Sequence, residues 1–290
     1  MSAQGPTAAR LVTEGGDACP VCETRAQRRI DAGPFALFRC PDCGAWSSDA
    51  LARGAATSFV PTQYFENAAL DRDKWERLLA RLAERGAPLR SALDVGAGTG
   101  EFLAFLAARD ASLRRVGVEL DPARAAAARA RDPGARIVTG DALASLSSVE
   151  GPFDLITLWD VFEHVPAPAR LLAALAARLA PRGVLYVQTI HEHSLVPALG
   201  RWSYRLSAGR LRQPVRRTHE AHHAVFFTRE SLERAAGAAG LRIQALWFDR
   251  LARGRMDGSA WLTSLTSLLL RLENALGGGL FVNLLLERAE

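Results

Sequence analysis

Lysine is nearly absent from this chain of 290 residues, because Lys74 is the only one and arginine carries the remaining positive charge. Cysteine is scarce as well, with four residues, the last of them at position 43. The first 18 residues are polar and glycine-rich and lack the apolar core that a secretory signal requires. We therefore expect a cytoplasmic protein in a reducing compartment, where disulfides rarely persist.

A hydrophobic run of the length that spans a bilayer, about 20 residues, is also missing. Hydrophobic residues make up 49% of the chain and charged residues 23%, which excludes a disordered protein. The length fits one large α/β domain with a small appendage.

The four cysteines form two CxxC pairs, Cys19 with Cys22 and Cys40 with Cys43, separated by seventeen residues. This spacing is typical of a zinc ribbon, in which two turns supply the four thiolates of a tetrahedral site. Two disulfides are the alternative, which the missing export signal disfavours. We predict a zinc ribbon over residues 1–50 with a structural zinc, because four cysteines leave no coordination position open.

Residues 44–62 are rich in glycine, alanine, serine, threonine and proline and are predicted as a linker, and the linker between the two domains is placed at 51–66. From residue 67 onwards, predicted helices and strands alternate, which indicates a parallel, doubly wound sheet. The predicted strands cover 91–95, 115–119, 136–139, 154–159, 183–189, 241–248 and 280–287. The predicted helices cover 67–86, 100–109, 122–131, 168–180 and 229–239, with a further helix near 261–276.

The most informative segment covers residues 93–102, where a strand runs directly into three alternate glycines and then an amphipathic helix. Glycine permits positive φ and a close approach of a ligand to the backbone, and a helix start presents backbone amides. The order DxGxGxG, in which Asp94 closes the strand, differs from the GxGxxG of dinucleotide sites. Because a carboxylate suits an ammonium better than a phosphate, the pattern favours a cationic cofactor.

Together with the following strand, which ends at Glu119, this segment resembles the first two motifs of the class I S-adenosylmethionine (SAM) dependent methyltransferases. The resemblance continues through Asp141, through 154–164 and through 181–189, so that it covers most of residues 60–290. It implies a Rossmann-like α/β domain over residues 67–290, with a doubly wound, seven-stranded, mostly parallel sheet. It also implies SAM as the methyl donor.

Glu119 lies 25 positions after Asp94, close to the separation of about 20 between a glycine loop and an acid that binds ribose hydroxyls. By resemblance to the family, Asp94 and the glycine loop face the methionine part of SAM and Glu119 faces the ribose. A solvated loop acid is the alternative for Glu119 and for Asp141. The full set of predicted cofactor residues, with contacts to the adenine and the sulfonium included, is Asp94, Gly96, Ala97, Gly98, Gly100, Glu119, Leu120, Asp141, Ala142, Trp159 and Asp160.

All six histidines lie in the second half of the chain. Ligands of open α/β sheets bind beyond the carboxyl ends of the strands, where an imidazole is a natural proton acceptor. His191, His164 and His223 are therefore the predicted catalytic residues, and for His164 a role in bracing the loop is the alternative. The HxxHH pattern of residues 219–223 also raises a second metal site, although no helical period supports it.

Residues 191–224 are predicted as an insertion on the acceptor side of the sheet. Within it, residues 201–217 hold six arginines and no acid, whereas residues 1–62 hold six arginines against six acids. The arginines suit a phosphorylated, carboxylated, carrier-linked or lipid-linked acceptor, and a solvated basic face is the alternative. The neutral balance of the ribbon argues against a nucleic-acid partner, because backbone binding needs concentrated positive charge.

The apolar stripe of 261–276 is interpreted as core packing or a dimer contact, with a membrane-facing helix as the second interpretation. The predicted function is methyl transfer from SAM to an oxygen or a carbanion-like carbon of a small or amphiphilic, anionic acceptor. Two alternatives stay open. One is an RNA base methyltransferase that holds RNA with its ribbon, and the other is a non-catalytic SAM-binding interaction module.

Overall fold

The computed structural model describes residues 18–54, 68–86, 88–249 and 260–289. The first range holds three short strands, β1 (Gln27–Asp31), β2 (Ala36–Arg39) and β3 (Trp46–Ser48), which pair antiparallel in this order. β3 lies within the stretch expected as a linker, so that expectation is wrong there. The composition of this stretch is typical of a loop, but Trp46 and Ser48 are buried at alternate positions, as the period of a strand requires. Most of the predicted linker at 51–66 lies outside the described residues.

The larger part of the chain alternates helices and strands. Up to residue 190 the elements are α1 (Ala68–Glu84), β4 (Ser91–Val95), α2 (Glu101–Arg109), β5 (Arg114–Glu119), α3 (Pro122–Arg131), β6 (Arg136–Thr139), α4 (Ala142–Ser145), β7 (Phe153–Trp159), α5 (Pro168–Ala176) and β8 (Leu179–Ile190). They are followed by α6 (Leu195–Leu206), α7 (Gln213–Thr218), β9 (Val225–Phe226), α8 (Arg229–Ala238), β10 (Leu241–Asp249), α9 (Ala260–Ala275) and β11 (Phe281–Arg288). None of these described helices has the length and apolarity needed to cross a membrane.

Seven strands form the central sheet in the order β10-β11-β8-β7-β4-β5-β6. The five strands from β4 to β8 pair in parallel, whereas β11 runs antiparallel to both of its neighbours. β4 is buried along its whole length, as expected of a strand covered by helices on both faces. The predicted Rossmann-like, seven-stranded, mostly parallel sheet is confirmed. The carboxyl ends of its parallel strands meet at one edge, which we call the carboxyl edge.

Two boundaries near the fifth strand differ from the sequence prediction. The helix expected over 168–180 ends at Ala176, and β8 already begins at Leu179, where it pairs with Phe153. Pro181 provides the reason, because the residue before a proline is disfavoured in the helical region. The longer strand carries a register shift before Val184.

Residues 191–224 contain two helices, α6 and α7, that the sequence analysis did not predict. The face of α6 that packs inward includes the small residues Pro197 and Gly200, which are buried. Its large apolar residues lie on the exposed face instead, among them Trp202 and Leu206. The apolar residues of α6 therefore recur at helical spacing, but the face that they form is exposed and does not belong to the core.

The cysteine-rich segment is joined to the larger part of the chain through β9. β3 pairs antiparallel with β9, so that Trp46 lies opposite Phe226 in a four-stranded sheet. Immediately after β9, the Thr228 hydroxyl donates to the carbonyl oxygen of Cys43 at 3.1 Å. The same hydroxyl accepts from the Ser231 amide at the start of α8, so Thr228 is the N-cap of this helix. One side chain thus fixes both the helix and the second cysteine turn.

A buried ionic group connects the end of β8 with both insertion helices. Glu192 is fully buried and accepts hydrogen bonds from the Arg201 guanidinium of α6 and, at 3.1 Å, from Nε2 of His219. The Arg201 guanidinium also lies 5.5 Å from the ring centroid of Trp46. In α7, Arg216 donates to the carbonyl oxygen of Ala32. Two arginines of the expected acceptor surface therefore serve to hold the scaffold together.

We expect Arg201→Ala to destabilise the fold by about 3 kcal/mol, because it leaves the buried Glu192 carboxylate without its strongest partner. Arg205→Ala is the matched control, since Arg205 is exposed on the same helix and its loss should change stability by less than about 0.5 kcal/mol. Urea unfolding followed by circular dichroism measures both. Equal losses would show that the ionic group does not hold the insertion.

Candidate functional site

The glycine loop leaves β4 at the carboxyl edge of the sheet. Gly96, Gly98 and Gly100 have φ values of 77°, 56° and 82°, a region that side-chain-bearing residues rarely adopt. A Cβ at Gly96 would overlap the side chain of Val161, and one at Gly100 would lie 3.0 Å from Ala128. Side chains are therefore disfavoured in this loop, by the positive φ of the three glycines and by close packing at Gly96 and Gly100.

Three amides of this loop are bound within the protein. Those of Gly96 and Ala97 donate to the carbonyl oxygen of Val118 at 2.7 and 3.0 Å. The Gly98 amide donates to Oε2 of Glu119 at 2.7 Å. At these three positions a ligand can therefore approach the backbone closely, but the N–H groups are already bound within the protein. This differs from the expectation of amides that point at the ligand.

Asp94 is 2% exposed, and its Oδ1 accepts a hydrogen bond of 2.7 Å from the Thr157 hydroxyl. Burial raises the pKa of Asp94 to about 7, and the negative charge of Glu119 adds to this rise, while the Thr157 hydrogen bond opposes it. Thr157 was missed by the sequence analysis. Its signal was a polar residue inside an otherwise apolar strand that pairs with β4.

Glu119, at the end of β5, is 6% exposed. Both carboxylate oxygens accept backbone hydrogen bonds, Oε2 from Gly98 and Oε1 from Asp121 at 2.9 Å. Burial nevertheless raises the pKa of Glu119. Each oxygen keeps a second lone pair, so that the carboxylate is positioned rigidly and can still accept from a ligand.

The neighbouring strand ends carry three further predicted cofactor residues, Leu120, Asp141 and Ala142, of which the last two are expected at the adenine. Leu120 is 47% exposed directly after β5. Oδ1 of Asp141 accepts from the amides of Leu143 and Ala144 at 3.0 and 2.9 Å, so Asp141 caps α4, and Ala142 beside it is half-buried. Asp141 thus has a structural role that the sequence analysis did not anticipate.

Trp159 and Asp160 follow β7, next to β4 in the sheet. The Trp159 ring packs between Phe102 and Tyr186, at centroid distances of 5.3 and 4.3 Å. Its Nε1 is buried and has no hydrogen-bond partner within the described part of the chain. Asp160 adopts a φ of 51°, which is uncommon for a residue with a side chain. Such strained positions cluster at functional sites.

A buried polar network that the sequence analysis missed lies in β8 and β11. Oδ1 of Asn283 accepts from the Tyr186 hydroxyl at 2.6 Å and from Nε2 of Gln188 at 2.9 Å. The only lysine, Lys74, reaches from α1 and donates to Oε1 of Gln188 at 3.0 Å. These residues come from distant segments, so that their proximity depends on the strand order.

His191 follows β8 at the carboxyl edge and is 8% exposed. Its ring packs against Phe248 at a centroid distance of 4.8 Å. Burial lowers the pKa of His191 to about 4, so the imidazole is neutral at pH 7. Its Nδ1 is buried without a hydrogen-bond partner in the described ranges.

The structure brings together His164 and His223, two of the predicted catalytic residues, and His222, which the sequence analysis considered only within the HxxHH pattern. A ligand nitrogen of each lies within 4.8 Å of the others. Burial lowers the pKa of His164 to about 4 and holds that of His223 well below its usual range. His191 is not part of this group. His219 points away to Glu192 at 3.1 Å, which differs from the HxxHH grouping.

The four cysteines come together in the ribbon. The Sγ atoms of Cys19 and Cys43 lie 3.5 Å apart, as do those of Cys22 and Cys40, and all four lie within 4.8 Å of one another. A disulfide requires about 2.05 Å between sulfur atoms, so the cysteines are free thiols. The hydrogen bond from the Cys43 thiol lowers the pKa of Cys19 to about 5. These thiols could hold a metal ion.

Comparison with known proteins agrees with the fold and the glycine loop. Residues 66–246 match the family described as a methyltransferase domain. The chain is 35% identical over 178 residues to the 4-amino-L-phenylalanine/4-methylamino-L-phenylalanine methyltransferase of Streptomyces pristinaespiralis, with 50% of this chain and 60% of that protein covered. It is 30% identical over 213 residues to the malonyl-[acyl-carrier protein] O-methyltransferase of Methylococcus capsulatus, with 71% and 73% covered. The chain thus spans less than two thirds of the first of these relatives.

Among solved structures, the plantazolicin methyltransferase BpumL, in complex with a substrate analog and S-adenosylhomocysteine (SAH), shares the fold. Its TM-score is 0.51 at 15% identity, over 79% of this chain and 90% of that one. The sheet order and the glycine loop define a Rossmann-like domain. The chain belongs to the class I SAM-dependent methyltransferase family.

We expect Gly96→Ala to destabilise the fold by about 3 kcal/mol, from left-handed strain and overlap with Val161, and to weaken SAH binding by more than about tenfold. Gly86→Ala is the control, because Gly86 also has a positive φ but has open space around its Cα. Its cost should be about 1 kcal/mol, with unchanged affinity. Calorimetry with SAH gives both affinities. Equal effects would show that close packing at the loop is unimportant.

Proposed function

We propose that this methyltransferase transfers the methyl group of SAM to an oxygen atom of an amphiphilic, anionic acceptor. The observation that carries the proposal is a surface of exposed leucines and arginines beside the carboxyl edge. The relative from Methylococcus capsulatus is named as an O-methyltransferase of a carrier-linked malonyl group. That name supports an acidic, carrier-linked or chain-bearing acceptor here.

In this proposal the two buried carboxylates at the carboxyl edge hold the cofactor. SAM, when bound, supplies the activated methyl group together with a sulfonium and an ammonium. Asp94 and Glu119 both have raised pKa values, because burial disfavours their charged forms. A cationic ligand favours the ionised carboxylates, so the residues fit SAM better than an anionic cofactor. Asp94 faces the amino acid part, and Glu119 faces the ribose.

The remaining predicted cofactor residues are assigned to the nucleoside. Leu120 offers an exposed apolar side chain for the adenine, and the helix that Asp141 caps begins with Ala142 beside it. Trp159 has a buried Nε1 without a partner in the described residues, which a ligand oxygen can satisfy. Asp160 is the last of these residues and is assigned to the sulfonium side of the cofactor.

His191 is our choice for the residue that accepts the proton of a hydroxyl acceptor. A neutral imidazole with an unpartnered Nδ1 can accept a proton, and its position after β8 lies where ligands bind in open sheets. His164 and His223 are neutral as well, but they share their environment with His222. A carboxylate acceptor would need no base, so the role of His191 is confined to hydroxyl substrates.

The acceptor surface comes from α6, the loop after it, and α9. Its apolar members are Leu195, Leu199, Trp202, Leu206, Leu211, Leu268, Leu272 and Leu276, which account for eight of the nine exposed large hydrophobic residues described. Exposed arginines on these segments are Arg205, Arg210, Arg212 and Arg271, and Arg217 lies on the adjoining α7. We call this set the leucine-arginine surface. Exposed apolar patches of this kind mark interaction sites.

Glu273 fixes the two helices of this surface to each other. Its buried carboxylate accepts from the Ser194 hydroxyl at 2.9 Å and from the Leu195 amide at 3.0 Å. A carboxylate is favoured at a helix N-terminus, so Glu273 of α9 caps α6. We infer that the combination of leucine and arginine also contacts anionic lipid headgroups, because apolar residues flanked by cations bind such interfaces.

We also propose that the ribbon binds a structural zinc. Four zinc-bound sulfurs lie about 3.8 Å apart when each Zn–S distance is about 2.3 Å. The thiols of Cys19, Cys22, Cys40 and Cys43 fit such a tetrahedron, with two separations of 3.5 Å and all within 4.8 Å. The ion would stabilise the turn that Thr228 binds.

The pKa of Asp94 predicts how SAM affinity depends on pH. A cation favours the ionised carboxylate, so below pH 7 binding must expel a proton and the affinity should fall by up to about tenfold per pH unit. Above about pH 7 this dependence should disappear. Asp94→Asn should bind SAM weakly and without the slope, whereas Asp110→Asn, a change at an exposed acid, should keep it. Calorimetry from pH 5.5 to 7.5 would refute the assignment if Asp94→Asn retained the slope.

Methyl transfer to paired acceptors tests the acceptor class. Fatty-acid carboxylates and alkyl phenols serve as amphiphilic acceptors, and their short-chain counterparts as controls, with labelled SAM and vesicles that contain phosphatidylglycerol. We expect O-methyl products, and Leu206→Glu should raise KM for the long-chain acceptors roughly tenfold, since a buried leucine contributes about 1.5–3 kcal/mol. Its kcat should be unchanged.

Ala238→Glu is the control, because it places the same charge on an exposed position of another helix and should leave KM unchanged. A product labelled only on nitrogen or carbon would overturn O-methylation. Identical effects of both variants would show that the leucine-arginine surface does not bind the acceptor.

A further inference from the structure

We propose that His164, His222 and His223 bind a divalent transition-metal ion through three imidazole nitrogens. His164 ends the short 3₁₀ turn after β7, and the other two residues lie just before β9. The site therefore stands at the carboxyl edge, distinct from the cofactor carboxylates and from the ribbon thiols. Its existence does not depend on the acceptor proposed above.

The arrangement of the rings fits one shared ion. Their centroids lie 5.2 Å apart for His164 and His222, 4.8 Å for His164 and His223, and 4.6 Å for His222 and His223. Two imidazoles on one zinc ion, with Zn–N distances of about 2.0–2.1 Å, have centroids about 4.5–5.2 Å apart. The ligand nitrogens lie within 4.8 Å of one another, and small side-chain rotations bring them to the roughly 3.3 Å of a zinc site.

Hydrogen bonds orient two of the rings as they do in metal sites. Nδ1 of His164 lies 3.0 Å from the carbonyl oxygen of His222, so Nδ1–H donates and Nε2 carries the lone pair. Nε2 of His222 lies 2.9 Å from Oε2 of Glu220, so Nε2–H donates and Nδ1 carries the lone pair. Metal-binding histidines usually donate their second ring nitrogen to a carbonyl or carboxylate. Both kinds of partner occur here.

The third ring supplies an independent observation. His223 is 5% exposed, and its Nδ1 is buried without a hydrogen-bond partner in the described residues. Leaving such a nitrogen unsatisfied costs free energy, and a bound ion would remove that cost.

Among the described residues the group contains three imidazoles and no fourth ligand, which leaves coordination positions open, as in catalytic rather than structural zinc sites. Imidazole ligands suit zinc, copper, iron and nickel better than magnesium or calcium. The site lies at the carboxyl edge, where ligands of open α/β sheets bind. An oxygen bound there would become more acidic, which would assist a hydroxyl acceptor.

Zinc stoichiometry of the full-length chain tests this site. After equilibrium dialysis at a fixed free zinc concentration, we expect about two zinc ions per chain, one in the ribbon and one at the histidines. The double variant His222→Gln with His223→Gln should bind one ion. His193→Gln is the matched control, because His193 is exposed and outside the cluster, and it should bind two.

Cobalt spectra distinguish the two sites, since only the ribbon produces thiolate charge-transfer absorption. That absorption should persist in the histidine double variant, which also reports that the variant is folded. A chain with Cys19→Ser and Cys22→Ser should keep one zinc ion. The proposal would be overturned if the wild type bound one zinc ion and the histidine variant still bound it, or if the histidine variant bound two. If the wild type bound one ion and the cysteine variant still bound it, the ribbon zinc would be refuted instead.

Discussion

A buried carboxylate at the end of β4 is the interaction on which the cofactor side of this methyltransferase depends. Asp94 is held by Thr157 from the adjacent strand, and burial raises its pKa to about 7. Glu119 is buried nearby and is bound to the glycine loop through the Gly98 amide. Two acids in one desolvated region are costly unless a cation accompanies them. The fold accepts this cost where its strands converge, and in the proposed function the positively charged cofactor compensates for it.

A second constraint joins the appendages to the same edge of the sheet. The antiparallel pairing of β3 with β9 and the buried Glu192 group connect the ribbon, α6 and α7 with the end of β8. Glu273 then attaches α9 to α6. The carboxyl edge is thus surrounded by the cysteine turns of the ribbon, the histidine cluster and the leucine-arginine surface. The proposed acceptor side is therefore assembled from segments far apart in sequence.

The seven-stranded sheet could be predicted because apolar runs alternate with amphipathic helices, and the residues at the strand ends could be read from motif spacing. Other features depend on partners that spacing does not reveal. β3 was hidden because its composition is that of a loop, and α6 because its apolar stripe faces solvent. Thr157 becomes important only when β7 lies beside β4, and His222 only when β9 is brought to the end of β7.

The most direct test is to follow the Asp94 carboxyl carbon by NMR during a pH titration, with Asp94→Asn to assign the signal. Our account predicts a pKa near 7 in the free protein and a clear decrease when SAM is saturating. A pKa that SAM leaves unchanged would contradict the claim that this carboxylate binds the cationic part of the cofactor.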